Sequence, residues 1–130
     1  MIRKPPPTVH LDTSFLIRAL VAGSDESARL RGWLSERRPL AVSTLVWAEL
    51  LCGPLDAQSE AIARRIAYRH VPVGTDEATL AATLCNDSGR RRGSLADCVV
   101  AATAIGADAP LATRDEDDFR RFEAIGLRLA

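Results

Sequence analysis

Val9-His10-Leu11-Asp12-Thr13-Ser14-Phe15-Leu16-Ile17-Arg18-Ala19-Leu20-Val21 passes from a short apolar run into a helical pattern, with an aspartate at the junction. Val9 to Leu11 reads as a strand. Phe15, Leu16, Ala19 and Leu20 then recur at the spacing of a helical apolar stripe, over a helix predicted from Thr13 to Val21 and stopped by Gly23. The same grammar continues along the chain. Ser24 or Asp25 caps a helix bearing Ala28, Leu30, Trp33 and Leu34. Leu40 to Ser43 is a second strand, and Ser43 or Thr44 caps a helix from Leu45 to Cys52, ended by Gly53-Pro54. A helix over Ala57 to Tyr68 leads to a strand at Val71-Pro72-Val73, whose proline calls for a sheet edge or a strand end. Thr75 to Asp87 is helical, Ser88 to Gly93 is a basic loop, and Leu95 to Ile105 is a strongly apolar helix. Pro110 to Thr113, Asp115 to Phe122 and Leu127 to Leu129 read as strand, short helix and final strand. Strands alternating with helices predict an α/β fold with a parallel sheet covered on both faces. Such sheets bind ligands at the carboxyl ends of their strands.

With 130 residues, 47% hydrophobic and 26% charged, the chain is expected to be one globular domain over residues 1–130, with residues 1–7 as a short leader. No apolar run approaches the roughly 20 residues that span a bilayer. Met1 to Pro7 has no apolar core of a signal peptide. A cytoplasmic location without membrane association is the expectation. Cys52, Cys85 and Cys98 are odd in number and widely spaced, against a disulfide framework or thiolate zinc site; each is expected to pack as a small hydrophobe. The formal net charge is zero, yet 16 of the 17 basic residues are Arg. Arginine is the better bidentate phosphate ligand, although GC-rich coding produces the same bias. His10 and His70 flank strands and read as core or edge residues. Trp33 and Trp47, with Leu30, Leu34 and Leu51, suit either a core or a groove for a partner helix.

The acids fall where the fold places ligands. Asp12 follows the first strand, Thr113 and Asp115 follow Leu111-Ala112, and Asp97 lies in the first turn of its helix. Each also admits a capping role: Asp12 as N-cap, Ser94 with Asp97 as a capping box, Asp115 with Asp118. Glu49 does not. Its neighbours are Leu45, Val46, Trp47, Ala48, Leu50, Leu51 and Cys52, and a helix apolar all round is expected to be mostly buried, so that a carboxylate on it either snorkels at an edge or is held beside a cation. Two carboxylates at roughly 4 Å repel by about 4 kcal/mol at an effective dielectric near 20. Several converging at one sheet edge call for a hard divalent cation such as Mg²⁺ or Mn²⁺. No G-x-x-x-x-G-K-[ST], G-x-G-x-x-G or G-x-S-x-G motif occurs. A phosphoacceptor receiver needs a lysine at its pocket, and the one lysine is Lys4. A haloacid-type phosphatase needs D-x-D, and position 14 is Ser.

Four pieces in order carry a resemblance: Leu11-Asp12-Thr13-Ser14-Phe15-Leu16-Ile17; Ser43-Thr44 through Glu49-Leu50 to Gly53; Asp97-Cys98-Val99-Val100-Ala101-Ala102; and Ala112-Thr113-Arg114-Asp115 with Asp118-Phe119. Together they resemble the PIN domain, and most of all the VapC-type toxins of bacterial toxin–antitoxin pairs. The resemblance implies a three-layer α/β/α fold with a short parallel central sheet and an acidic pocket for Mg²⁺ or Mn²⁺. It implies metal-dependent endonucleolytic hydrolysis of RNA, a cognate antitoxin partner and a homodimer. Asp12 and Asp97 match the principal metal ligands; Glu49 and Asp115 complete the pocket, directly or through water. Asp117 and Asp118 stand close enough to replace Asp115 as the fourth acid. Thr13 and Thr113 are expected to contact substrate, and Arg90, Arg91 and Arg92 to guide the RNA backbone, with a plain solvated loop as the other account of the arginines. The rival reading is a non-catalytic PIN-like module that binds RNA or protein; a second is a DNA nuclease.

Overall fold

The computed structural model describes residues 6–88 and 94–130, apart from the side chain of Ser94. Arg90, Arg91 and Arg92 lie outside the described residues. The elements are β1 (Val9–Leu11), α1 (Thr13–Ala19), α2 (Asp25–Ser35), β2 (Leu40–Ser43), α3 (Thr44–Cys52), α4 (Ala57–Ile66), β3 (Arg69–Val71), α5 (Thr75–Asp87), α6 (Ser94–Gly106), β4 (Leu111–Ala112) and α7 (Glu116–Phe119), then a 3-10 segment, Arg120–Ile125.

The sheet is parallel throughout, in the order β3-β2-β1-β4. Every residue of β1, β2 and β4 is buried, which is why these strands are apolar runs rather than alternating patterns. Apart from Ser43 at the end of β2, His10, 3% exposed inside β1, is the polar exception. Burial lowers its pKa to about 4, so it is neutral and behaves as core. The strand before Pro72 is Arg69–Val71, earlier than predicted, and lies at the sheet edge. Proline there ends the strand and interrupts no ladder.

Strand order sets the position of any ligand crevice. The chain moves from β1 outward to β2 and β3, then returns across β1 to β4. Right-handed crossovers therefore put the returning helices α5 and α6 on the face opposite the outgoing ones, giving three α/β/α layers. The direction of winding reverses between β1 and β4, and the crevice beyond their carboxyl ends is the topological switch point.

Two expectations at the C-terminal end are corrected. The predicted helix Asp115–Phe122 is four helical residues followed by the tighter 3-10 segment. That segment closes on Gly126, whose φ of +112° favours glycine. The predicted final strand is reduced to a single parallel bridge between Leu111 and Leu129. The core gathers Phe15, Leu16, Val42, Val46, Leu50, Leu84, Phe119 and Phe122 around the strands. Trp33 joins it against Phe15, whereas Trp47 is half-buried against His70 and Leu34 and Leu51 are exposed. The five residues expected to act together thus divide between two surroundings. Cys98 is buried, but Cys52 is exposed, contrary to the expectation that each cysteine packs inside.

Candidate active site at the switch point

Asp12 is the N-cap of α1, placed where β1 ends. Its side chain is nearly buried and fully engaged. Oδ1 accepts from the Thr13 amide at 2.9 Å, while Oδ2 accepts from Thr113 Oγ1 at 2.8 Å and Ser14 Oγ at 3.1 Å. Thr113 follows β4, so this hydroxyl ties together the two strands that flank the crevice. Burial pushes the Asp12 pKa up; the hydroxyls of Thr113 and Ser14 and the Thr13 amide oppose this, and the charge of Asp115 adds to it. Ser14, which the sequence reading did not single out, also accepts from the Arg114 amide at 3.1 Å. The Asp115 amide donates to Thr113 Oγ1 at 3.0 Å. One hydroxyl pair therefore fixes both Asp12 and the turn that leads to Asp115.

Asp97 reaches the same region from the first turn of α6. Its pKa is raised to about 6, first by burial and then by the charge of Asp12; Arg121 pulls it back, and Asp118 and Asp115 push it further. Four acids from three segments thus share one field. Asp115 occupies the N-cap position of α7 but makes no capping hydrogen bond with its side chain. Asp117 is 93% exposed and ion-paired with Arg120, and it does not figure among the charges that shift Asp97. Of the three candidates for the fourth acid, Asp115 and Asp118 are the ones whose charge acts on Asp97.

The helix that carries Glu49 is less buried than expected, and Glu49 takes the edge position. Only Val46 and Leu50, one turn apart, are buried on α3, and Ala48, Glu49, Leu51 and Cys52 are exposed. The helix is apolar all round yet packs on one side, so Glu49 is solvated. Its tie to the site is a single contact, accepting from Thr13 Oγ1 at 3.0 Å.

Hydroxyl groups of Thr13, Ser14 and Thr113 donate to the carboxylates of Glu49 and Asp12. Among the described residues, no three His, Cys, Asp or Glu side chains form a group that could hold a metal ion. What the site does offer is oxygen donors of the hard kind, on Asp12 and Asp97, with the charge of Asp12 helping to push the Asp97 pKa up. That is donor chemistry for a hard divalent cation. Beside the acids opens a cleft of about 590 Å³, whose lining includes Thr113, Asp115, Arg29, Arg114 and Phe15.

No curated protein sequence matches the chain. Among solved structures, the VapBC-5 toxin–antitoxin protein of Mycobacterium tuberculosis is 28% identical with a TM-score of 0.62, covering 95% of this chain and all of that one (100%). VapBC2 from Rickettsia felis, bound to a DNA fragment from its promoter, is 20% identical with a TM-score of 0.70, covering 95% and 97%. VapC20 of M. tuberculosis, a toxin that cleaves the sarcin-ricin loop, is 20% identical with a TM-score of 0.67, covering 94% and 98%. The PIN domain family matches residues 9–125, from the first residue of β1 to the end of the 3-10 segment, and the chain belongs to that family.

Proposed function

We propose that the chain is a divalent-metal-dependent endoribonuclease and the toxin of a toxin–antitoxin pair. The observation that supports this most is the meeting of Asp12 and Asp97 in one electrostatic field at the switch point, with Asp115 and Asp118 acting on Asp97. A capping role for Asp12 alone does not account for two further hydroxyls on its second oxygen. Asp12 and Asp97 would hold Mg²⁺ or Mn²⁺, with Asp115 or Asp118 and Glu49 completing the pocket. When bound, such a cation neutralises phosphate charge and acidifies water for attack on phosphorus. The chain's own residues do the positioning. Thr113 and Ser14 orient Asp12, Thr13 holds Glu49, and the cleft lined by Asp115 and Thr113 receives the RNA strand, which Thr13 and Thr113 would contact. Arg91 and Arg92, with Arg90, would draw the RNA backbone in from the loop before α6.

The partner reading is a cognate antitoxin and a homodimer. VapBC complexes among the structural neighbours support the antitoxin. So do the exposed Ile17 and Leu51 beside a small apolar hollow lined by Ile17, Leu50, Gly53, Pro54 and Leu55. No helix among the described residues is long and apolar enough to cross a membrane, and we assign the action to the cytoplasm, where the RNA is.

The test is incubation of the purified chain, freed of any antitoxin, with RNA and DNA of matched sequence in Mg²⁺ or Mn²⁺. Internal scission of RNA alone is expected. Intact RNA under both ions contradicts the enzyme reading and favours a non-catalytic module; scission of DNA alone favours the DNA nuclease.

A further inference from the structure

Among the described residues, one cation stands near these acids without a hydrogen bond to hold it. Arg121 lies in the 3-10 segment, and its guanidinium carbon sits 4.6 Å from the centroid of the Phe122 ring. Phe122 is buried, so packing fixes where the charge rests. Nη2 is 3.9 Å from Asp97 Oδ2, beyond hydrogen-bond reach. Nε is buried with no hydrogen-bond partner. Buried donors of this kind are rare, and each calls for an explanation. The Arg121 side chain is 22% exposed, so part of it still meets solvent. Among the described residues, it is the one cation ion-paired with any of Asp12, Glu49, Asp97 and Asp115; Arg120 is committed to Asp117 and Glu116, and Arg114 to Glu26.

We propose that Arg121 is a substrate-contacting residue whose guanidinium takes a non-bridging phosphate oxygen of the RNA backbone beside Asp97. The proposal rests on the RNA-hydrolysis reading above. A phosphodiester approaching clustered carboxylates is repelled, and charge must meet it. A guanidinium offers a planar fork of donors that matches phosphate oxygens. Among the described residues no group accepts from those donors of Arg121, so a phosphate satisfies them without displacing a hydrogen bond.

The test compares the full chain with Arg121→Met and Arg121→Lys in three measurements. The first is RNA cleavage at saturating Mn²⁺ over a range of salt. The Met variant should raise KM roughly tenfold with a smaller change in kcat, and should flatten the slope of log KM against log salt by about 0.7, the contribution of one phosphate contact to a single strand. The Lys variant should keep the slope. The second is Mn²⁺ affinity by calorimetry, which should not fall in either variant. A Met variant with wild-type KM and salt slope, or one defective only in Mn²⁺ affinity, overturns the proposal. The third needs no folded variant: titration of the wild type with inorganic phosphate, followed at the Arg121 Nε–H resonance. A saturable shift supports the contact, and an unmoved resonance overturns it. If the wild type cleaves no RNA, the function reading fails, and the phosphate titration still decides whether Arg121 binds the anion.

Discussion

Protonation of Asp97 and binding of a cation to it are competing events, so pH reports on both. With its pKa raised from 3.8 to about 6, Asp97 holds its proton more tightly folded than unfolded. Its contribution to stability is fully present below about pH 4 and is lost as pH rises through about 6. His10 works the other way, because its folded pKa is lowered from 6.5 to about 4; its contribution is lost as pH falls through that window. The wild-type profile is a sum of the two, and the difference from Asp97→Asn isolates the acid. Thermal unfolding without divalent ions should show Asp97→Asn gaining on the wild type as pH rises from 4 to 7; parallel profiles would place Asp97 outside the shared field. Mn²⁺ affinity of the wild type should climb through about pH 6 as the proton leaves. Ser14 and Thr113 act on Asp12 by orientation, and Thr113→Ala should lower cleavage by roughly 10- to 100-fold, as loss of a group that orients a metal ligand does, with Ser14→Ala in the same direction. Asp12 was legible from its position after an apolar strand. Ser14 stood in plain view two residues on, but only the fold shows that its hydroxyl meets one 99 residues away.

Helix α3 shows where the reading of elements succeeds and where it fails. Ser43 was legible as a cap, and it accepts from the Val46 amide at 3.1 Å. The helix limits were legible from Ser43 and Gly53-Pro54. Its orientation was not, because a helix apolar on every side carries no moment to choose a buried face. The tertiary structure chooses Val46 and Leu50. Leu50→Ala should therefore destabilise the chain by about 2–5 kcal/mol, whereas Leu51→Ala should stay within about 0.5 kcal/mol. Denaturant unfolding of the two variants checks this, and equal losses would mean that Leu51 is buried after all. The last segment fails for a related reason. Glu116-Asp117-Asp118-Phe119 and Arg120 to Ile125 share helical composition, and nothing local distinguishes an α-turn from the tighter 3-10 winding that carries Arg121 toward Asp97.

Across the whole molecule, the site is a consequence of strand order. Alternating elements made a parallel sheet legible, but not that β1 lies between β2 and β4. That placement sets Asp12 beside Thr113 and makes the crevice. Asp97 and Arg121 join from the returning face, through contacts that no sequence spacing encodes. A molecule whose acids repel one another should be stabilised by the ion that relieves them. Mg²⁺ or Mn²⁺ should raise the thermal midpoint at pH 7.5 more than at pH 5, and Asp12→Asn should abolish the rise. An ion effect that is equal at both pH values, or that survives in Asp12→Asn, would locate binding elsewhere. The central claim is that these acids form the centre that cleaves RNA. Its most direct test is the rate of RNA cleavage in Mn²⁺ by the wild type and by Asp97→Asn, each shown to be folded by circular dichroism. The account predicts a fall of roughly 100-fold or more, in keeping with loss of a group that binds the cation responsible for the chemistry. Equal rates from the two proteins would contradict it.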